Sequence, residues 1–135
     1  MISSHIGHIV FQIHPGNMSF YKDLFSFLGW KLWAEDPDML GMGNEHGESL
    51  WFGGPAKLVS NDYDGPGVNH LGIAVGQQAD VDAVVAYLSE HGVAALFETP
   101  RHRPEFSAPG KTYYQVMFES PDRILFEVVY SGVMD

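Results

Sequence analysis

The sequence predicts an α+β fold built from two paired βαβββ modules, whose strands form a curved mixed sheet with the helices on the outside. Three observations predict it. A histidine followed by a β-type apolar run occurs twice, as His8-Ile9-Val10-Phe11-Gln12-Ile13 and as His70-Leu71-Gly72-Ile73-Ala74-Val75. A segment with apolar residues three and four apart follows each run, over residues 17–28 and 80–91, and each is closed by glycine, Gly29 or Gly92. The histidine-to-glycine intervals of the two copies differ by a single residue, which one extra loop position explains.

Each element follows from local chemistry. Asn17 and Asp80 are suitable helix starts, because their side chains can accept from free N–H groups of the first turn. Three strand-like pieces then follow in each half. They are Trp30 to Ala34, Met39 to Met42 and Ser49 to Phe52 in the first, and Val93 to Glu98, Thr112 to Phe118 and Ile124 to Tyr130 in the second. Asp36-Pro37-Asp38, Gly43-Asn44-Glu45-His46-Gly47 and Ser120-Pro121-Asp122 supply the turns. A single βαβββ unit cannot cover both faces of its small sheet, so two copies pair, and the concave face becomes a pocket.

The 135 residues suit one domain, 1–135, with module one over about 5–54, a linker over about 55–66 and module two over about 67–131. Hydrophobic residues make up 45% of the chain, enough for a sizeable core. No apolar run is long enough to span a bilayer, and the first residues lack the pattern of a signal peptide, so a cytoplasmic protein with no membrane partner is expected. The absence of cysteine excludes disulfides, thiolate metal sites and cysteine nucleophiles. A net charge of −10 argues against nucleic acid as a partner.

The duplication phases His8 and His70 alike, so both imidazoles are expected on one face. Glu127 is an ionised residue inside the apolar run Ile124 to Tyr130, and a buried carboxylate needs a cation or donors. His8, His70 and Glu127 are therefore the expected ligands of one divalent metal ion (Fe, Mn, Zn or Ni), with coordination positions left for water or a small-molecule substrate. Alignment of the two last strands sets Glu127 against Trp51, so the first half offers no matching carboxylate. Glu48 could become a fourth ligand if a bulge changed its phase.

Residues 98–110, with three prolines, read as a long loop. Arg101 and Arg103 are candidate binding residues for an anionic substrate group, and His102 between them is a candidate catalytic residue; a solvated basic turn is the plainer alternative. Alternation points one of Tyr113 and Tyr114 inward, where a hydroxyl can donate a hydrogen bond or a proton, or simply pack. Trp33, Trp51 and Phe52 are expected in the core or the pocket wall.

The chain resembles the vicinal oxygen chelate superfamily of glyoxalases, bleomycin-resistance proteins, fosfomycin-resistance enzymes, methylmalonyl-CoA epimerases and extradiol dioxygenases. The resemblance covers nearly all of it. It rests on His8-Ile9-Val10 with Phe20-Tyr21 and Leu28-Gly29-Trp30, on Gly67-Val68-Asn69-His70-Leu71-Gly72-Ile73, and on the block from Tyr113 to Glu127. That block is similar to the family's closing pattern of aromatic strand, Asp-Pro-Asp-Gly turn and metal-binding Glu, with Ser120 and Arg123 in place of the usual Asp and Gly. The resemblance implies metal chelation of vicinal substrate oxygens by an enzyme of lyase, isomerase, transferase or dioxygenase type, with His8, His70 and Glu127 at the ligand positions. Trp51, where a further acidic residue would stand, sets the chain apart from glyoxalase I and the epimerase. Bleomycin-resistance proteins imply a second reading, metal-free sequestration of a small molecule in an aromatic pocket. Exposed sheet edges, and the habit of such relatives, imply a homodimer.

Overall fold

In the computed structural model, which describes residues 1–134, the chain divides into two compact units, residues 1–60 and 61–135. The first contains β1 (His8–Gln12), α1 (Met18–Phe27), β2 (Lys31–Asp36), β3 (Met39–Gly43) and β4 (Ser49–Gly53). The second contains β5 (Leu71–Ala74), α2 (Gln78–Glu90), β6 (Leu96–His102), β7 (Lys111–Glu119) and β8 (Leu125–Val133). Each unit is thus βαβββ, with one four-stranded mixed sheet. The strand orders are β1-β4-β3-β2 and β5-β8-β7-β6, so the opening strand of each unit runs parallel to its last strand. No helix is long and apolar enough to cross a membrane.

The registers fix which positions are equivalent. Ile9 pairs with Leu50 and Val10 with Trp51; Leu71 pairs with Phe126 and Gly72 with Glu127. His8 and His70 therefore stand one residue before matching pairs, and Trp51 occupies the first unit's counterpart of Glu127. The helices bury the other side of each sheet. Tyr21, Leu24 and Phe25 of α1 and Val81, Val84 and Leu88 of α2 are buried, at the three- and four-residue spacing that makes one helical stripe.

Phe52 belongs to this helix side. It is completely buried, stacked on Phe11 at 5.2 Å and on Tyr21 at 4.5 Å, with Phe25 at 5.6 Å. Strand alternation turns Phe52 away from the face that carries Trp51, so it is core and not pocket wall.

Two expectations need correction. The second helix starts at Gln78 rather than Asp80, after an extended Gln77 that makes no side-chain cap, and Asp80 lies in its first turn, where its charge suits the helix dipole. The segment expected as one loop opens as strand: β6 runs on through His102, and only then does the chain leave the sheet, with a short 3₁₀ turn over Pro104–Phe106. Phe97 and Glu98 are both left-handed, and the pairing of β6 with β7 shifts between Leu96 and Arg101. The Thr99 hydroxyl repairs the ladder there, since it accepts from the Met117 N–H at 3.0 Å and donates to the Leu96 carbonyl at 2.6 Å. Past that repair, Arg101 pairs again with Gln115.

Phe52→Ala is expected to destabilise the protein by about 3–5 kcal/mol, because it opens a cavity among three rings. Urea unfolding followed by tryptophan fluorescence measures this; a loss well under 1 kcal/mol would mean that Phe52 does not pack as described.

Candidate functional site

Glu127 sits mid-strand in β8 among buried Phe126 and Val128, and 6% of its side chain is exposed. An ionised group so placed demands compensation. Two donors come from β7. Met117 pairs with Glu127, and residues two apart on a strand share a face, so Gln115 and Tyr113 line up beside it. The Tyr113 hydroxyl donates to Oε1 at 2.8 Å, and the Gln115 amide nitrogen donates to Oε2. On the other flank β5 offers Gly72, where a Cβ would stand 3.2 Å from Glu127 Oε1; glycine leaves the carboxylate its space.

Gln115 is itself buried, and its amide oxygen accepts from Arg103 Nε at 2.8 Å. The carboxylate on one side and the guanidinium on the other fix which end is nitrogen, since a flipped amide would set acceptor against acceptor.

His70 immediately precedes β5. Its Nε2 lies 4.0 Å from Glu127 Oε2, and its Nδ1 lies 2.8 Å from Asn69 Oδ1. Asn69 donates its amide N–H to the Tyr63 carbonyl at 2.9 Å, so the oxygen of that amide is the end that faces His70. In the neutral ring Nδ1 therefore holds the proton, and Nε2 directs a lone pair towards the Glu127 side. A lone pair and a carboxylate oxygen face each other, and a positive charge between them satisfies both. Imidazole nitrogen and carboxylate oxygen are a donor set suited to first-row divalent ions, and Asn69 is the kind of outer partner that orients a ligating histidine. These two side chains would fit two positions in the coordination shell of such an ion.

Asn69 is positioned in turn. Tyr63 is buried, its hydroxyl donates to Glu119 Oε2 at 2.6 Å, and the Arg123 guanidinium lies over its ring at 5.0 Å and within 3.6 Å of Glu119. This fastens the segment before His70 to the β7–β8 turn.

His70, Glu127 and Tyr113 are thus brought together in the second unit. His8 opens β1 of the first unit with its side chain exposed. Among the described residues no group of three or more His, Asp or Glu side chains gathers as a ligand set. Of the other candidates, Arg101 and Arg103 share the sheet face of Gln115 and Tyr113, Arg101 as the register partner of Gln115 and Arg103 through its N–H to the Tyr113 carbonyl at 2.7 Å. Tyr114 and His102 pair with each other on the opposite face. Tyr114 donates to Asp82 of α2 at 2.7 Å, and His102 Nδ1 meets the hydroxyl of buried Thr112. Both lie away from Glu127, because alternation from Tyr113 carries them to the helix side.

Trp51 is half-buried, its indole N–H donates to Ser49 Oγ at 3.0 Å, and its ring covers Gly41 so closely that no Cβ would fit there. Trp33 is the residue left out where the β2–β3 pairing shifts, and its half-exposed ring covers Gly43. Glu48 accepts from Asn44 Nδ2 at 2.9 Å in the turn before β4, and β4 pairs without a bulge on both sides, so nothing changes its phase.

Sequence reasoning passed over Gln115, Asn69, Gly72 and Tyr63. Gln115 carried the same signal as Glu127, a polar residue inside an apolar strand.

No family model matches the sequence, and no curated protein matches it. Solved structures do match. A protein of Bacillus halodurans provisionally described as a glyoxalase superposes with a TM-score of 0.79 at 21% identity, covering 93% of this chain and 94% of its own. A glyoxylase/bleomycin resistance protein/dioxygenase domain from Frankia sp. EAN1pec gives 0.69 at 18% identity, covering 96% and 98%. The fosfomycin resistance protein FosX of Listeria monocytogenes gives 0.67 at 17% identity, covering 95% and 91%. The fold is glyoxalase-like. At these identities the likeness establishes the glyoxalase-like architecture and leaves the chemistry to the site.

Of the tyrosine hydroxyls that are pushed up, two reach about 12. Burial, then the hydrogen bond to Glu127, pushes Tyr113 up to about 12; burial, then the bond to Asp82, does the same for Tyr114. An unfolded tyrosine loses its proton near pH 10, so between pH 10 and about 12 the folded state holds protons that the unfolded state has released, and stability falls as pH rises. Below pH 10 that contribution is fully present. Urea midpoints taken across this window should fall less steeply for Tyr113→Phe than for the parent; an identical fall would show that the Tyr113 hydroxyl is not held by Glu127.

Proposed function

We propose that the protein is a metal-dependent enzyme of the glyoxalase and dioxygenase kind, acting on a small substrate that presents two adjacent oxygens. One divalent ion (Fe, Mn, Zn or Ni) is held by His70 and Glu127, and His8, the counterpart of His70 in the first unit, is the third ligand that the duplication in the sequence suggests. The observation that carries this reading is the facing of His70 Nε2 and buried Glu127 at 4.0 Å with the ring tautomer set by Asn69. When bound, the ion supplies Lewis-acid stabilisation of negative charge that develops on a substrate oxygen.

The chain's own residues prepare for that chemistry. Tyr113 and Gln115 hold the Glu127 carboxylate in one orientation, and Asn69 holds the His70 ring. Tyr113, raised to about 12, is a neutral hydrogen-bond donor near pH 7 and not a base. The lyase, isomerase, transferase and ring-cleaving reactions share this requirement. Homodimer formation belongs to the same proposal, because each sheet ends in edge strands whose backbone groups need cover.

A second reading is metal-free sequestration of a small aromatic molecule. It is favoured by the half-exposed ring of Trp33 above Gly43, a flat apolar surface of the kind such ligands stack on.

The decisive measurement is elemental analysis of protein prepared without chelator, then exposed to Fe(II), Mn(II), Zn(II) and Ni(II). Stoichiometric uptake is expected, lost in His70→Ala, Glu127→Ala and His8→Ala, and weakened roughly 10- to 100-fold in Asn69→Ala. Failure of the parent to take up any of the four, or full uptake by His70→Ala and Glu127→Ala, sinks the metal reading. Ligand binding that survives His8→Ala in metal-free protein supports sequestration instead.

A further inference from the structure

Two of the chain's three arginines stand two residues apart, Arg101 at the end of β6 and Arg103 just past it, on the sheet face of Gln115 and Glu127. Arg103 is unlike a residue of a solvated basic turn, and Arg101 is 41% exposed but buries one donor. The Arg103 side chain is 18% exposed, and Gln115 fixes its Nε at 2.8 Å. The Arg101 Nε is buried without a hydrogen-bond partner. A buried N–H donor left unpaired costs as much as a lost hydrogen bond, so such a group calls for an acceptor that arrives with a ligand. The acidic neighbours do not serve. Glu98 is 3.4 Å from Arg101 Nη1 and Glu105 is 3.6 Å from Arg103 Nη1; both are largely exposed, and pairs of that length at a surface contribute little.

We propose that Arg101 and Arg103 form a binding site for an oxyanion, the carboxylate, phosphonate or phosphate group of a small acid, and that Gln115 is the positioning residue that sets this site beside Glu127. Gln115 gives its oxygen to Arg103 and its nitrogen to Glu127, so guanidinium and carboxylate are held one amide apart. The terminal amino groups of Arg103, whose Nε–H is given to Gln115, and the guanidinium of Arg101 supply the N–H donors that an oxyanion accepts from. In a chain of net charge −10 an anion is repelled almost everywhere else, which makes a local cationic pair selective. The anion site stands on its own geometry; its role as the substrate's anchor rests on the enzymatic reading above, and it then restricts the substrate to small acids whose charged group lies close to the chelated oxygens.

The test uses inorganic phosphate and malonate, titrated calorimetrically into the full chain after chelator treatment. Saturable binding of at least one is expected, and the tighter of the two names the phosphate-type or the carboxylate source. Arg103→Ala and Arg101→Ala should each weaken it about tenfold or more, the worth of one charge-assisted hydrogen bond. Gln115→Met, which keeps the side-chain volume, should weaken both anion binding and metal uptake; Arg103→Lys should recover only part of the loss, since it keeps charge without the fork. His70→Ala should leave anion binding unchanged. A parent that binds neither anion, or arginine variants that bind like the parent, overturns the proposal. Loss of metal uptake claims alone, with anion binding intact, would sink the enzymatic reading and leave this site standing.

Discussion

Burial of the Glu127 carboxylate is the constraint around which the second unit is organised. An unpaired ion in that position would cost several kcal/mol even after relaxation, so its surroundings must answer it. They do so from two strands and one preceding residue: Tyr113 and Gln115 from β7, the open space at Gly72 on β5, and His70 before β5. Each answering group is then secured by another. Gln115 is fixed by Arg103, His70 by Asn69, and Asn69 by Tyr63. Hydrogen-bonded chains of this kind rigidify a site, and in a low dielectric their parts strengthen one another.

The duplication makes the same point by contrast. Trp51 and Glu127 occupy equivalent register positions on strands of identical topology. Their cross-strand partners are Gly41 and Met117. The first unit fills its sheet face with tryptophan rings laid over glycines, and the second fills it with a polar network beside a glycine. A βαβββ frame constrains which residues meet and leaves the chemistry of the meeting to side chains. The aromatic face and the polar face are therefore two uses of one scaffold, which is why function must be argued from the site and not from the frame.

The architecture was legible in the sequence because duplication doubles every local signal. The alignment of Trp51 with Glu127 reappears in the registers, and Gly29 and Gly92 each follow their helix with a positive φ. The burial of Glu127 was legible because a charge within an apolar strand has few explanations. Three things were not. Residues 98–102 looked like loop because Pro100 and the polar run argue against strand, yet the Thr99 hydroxyl supplies the ladder partner that the left-handed Phe97 and Glu98 remove. Side-chain direction at Tyr113 and Tyr114 depends on where β7 begins its pairing, a long-range fact. Phe52 and Trp51 are adjacent aromatics with the same local signature, and only the helix side chosen by α1 separates core from face.

The outer partners were the least legible, and they decide most about the site. Asn69 and Gln115 are neutral amides with no local motif, but each is asymmetric, with a donor at one end and an acceptor at the other. Placed between Tyr63 and His70, the Asn69 amide selects the ring nitrogen that keeps its lone pair. Placed between Arg103 and Glu127, the Gln115 amide gives cation and anion separate, fixed positions instead of a direct ion pair that would cancel both. A direct pair would leave neither group available to a ligand. The interposed amide keeps the guanidinium turned to one side and the carboxylate to the other, so the face retains a cationic site and an anionic site within one side chain's length.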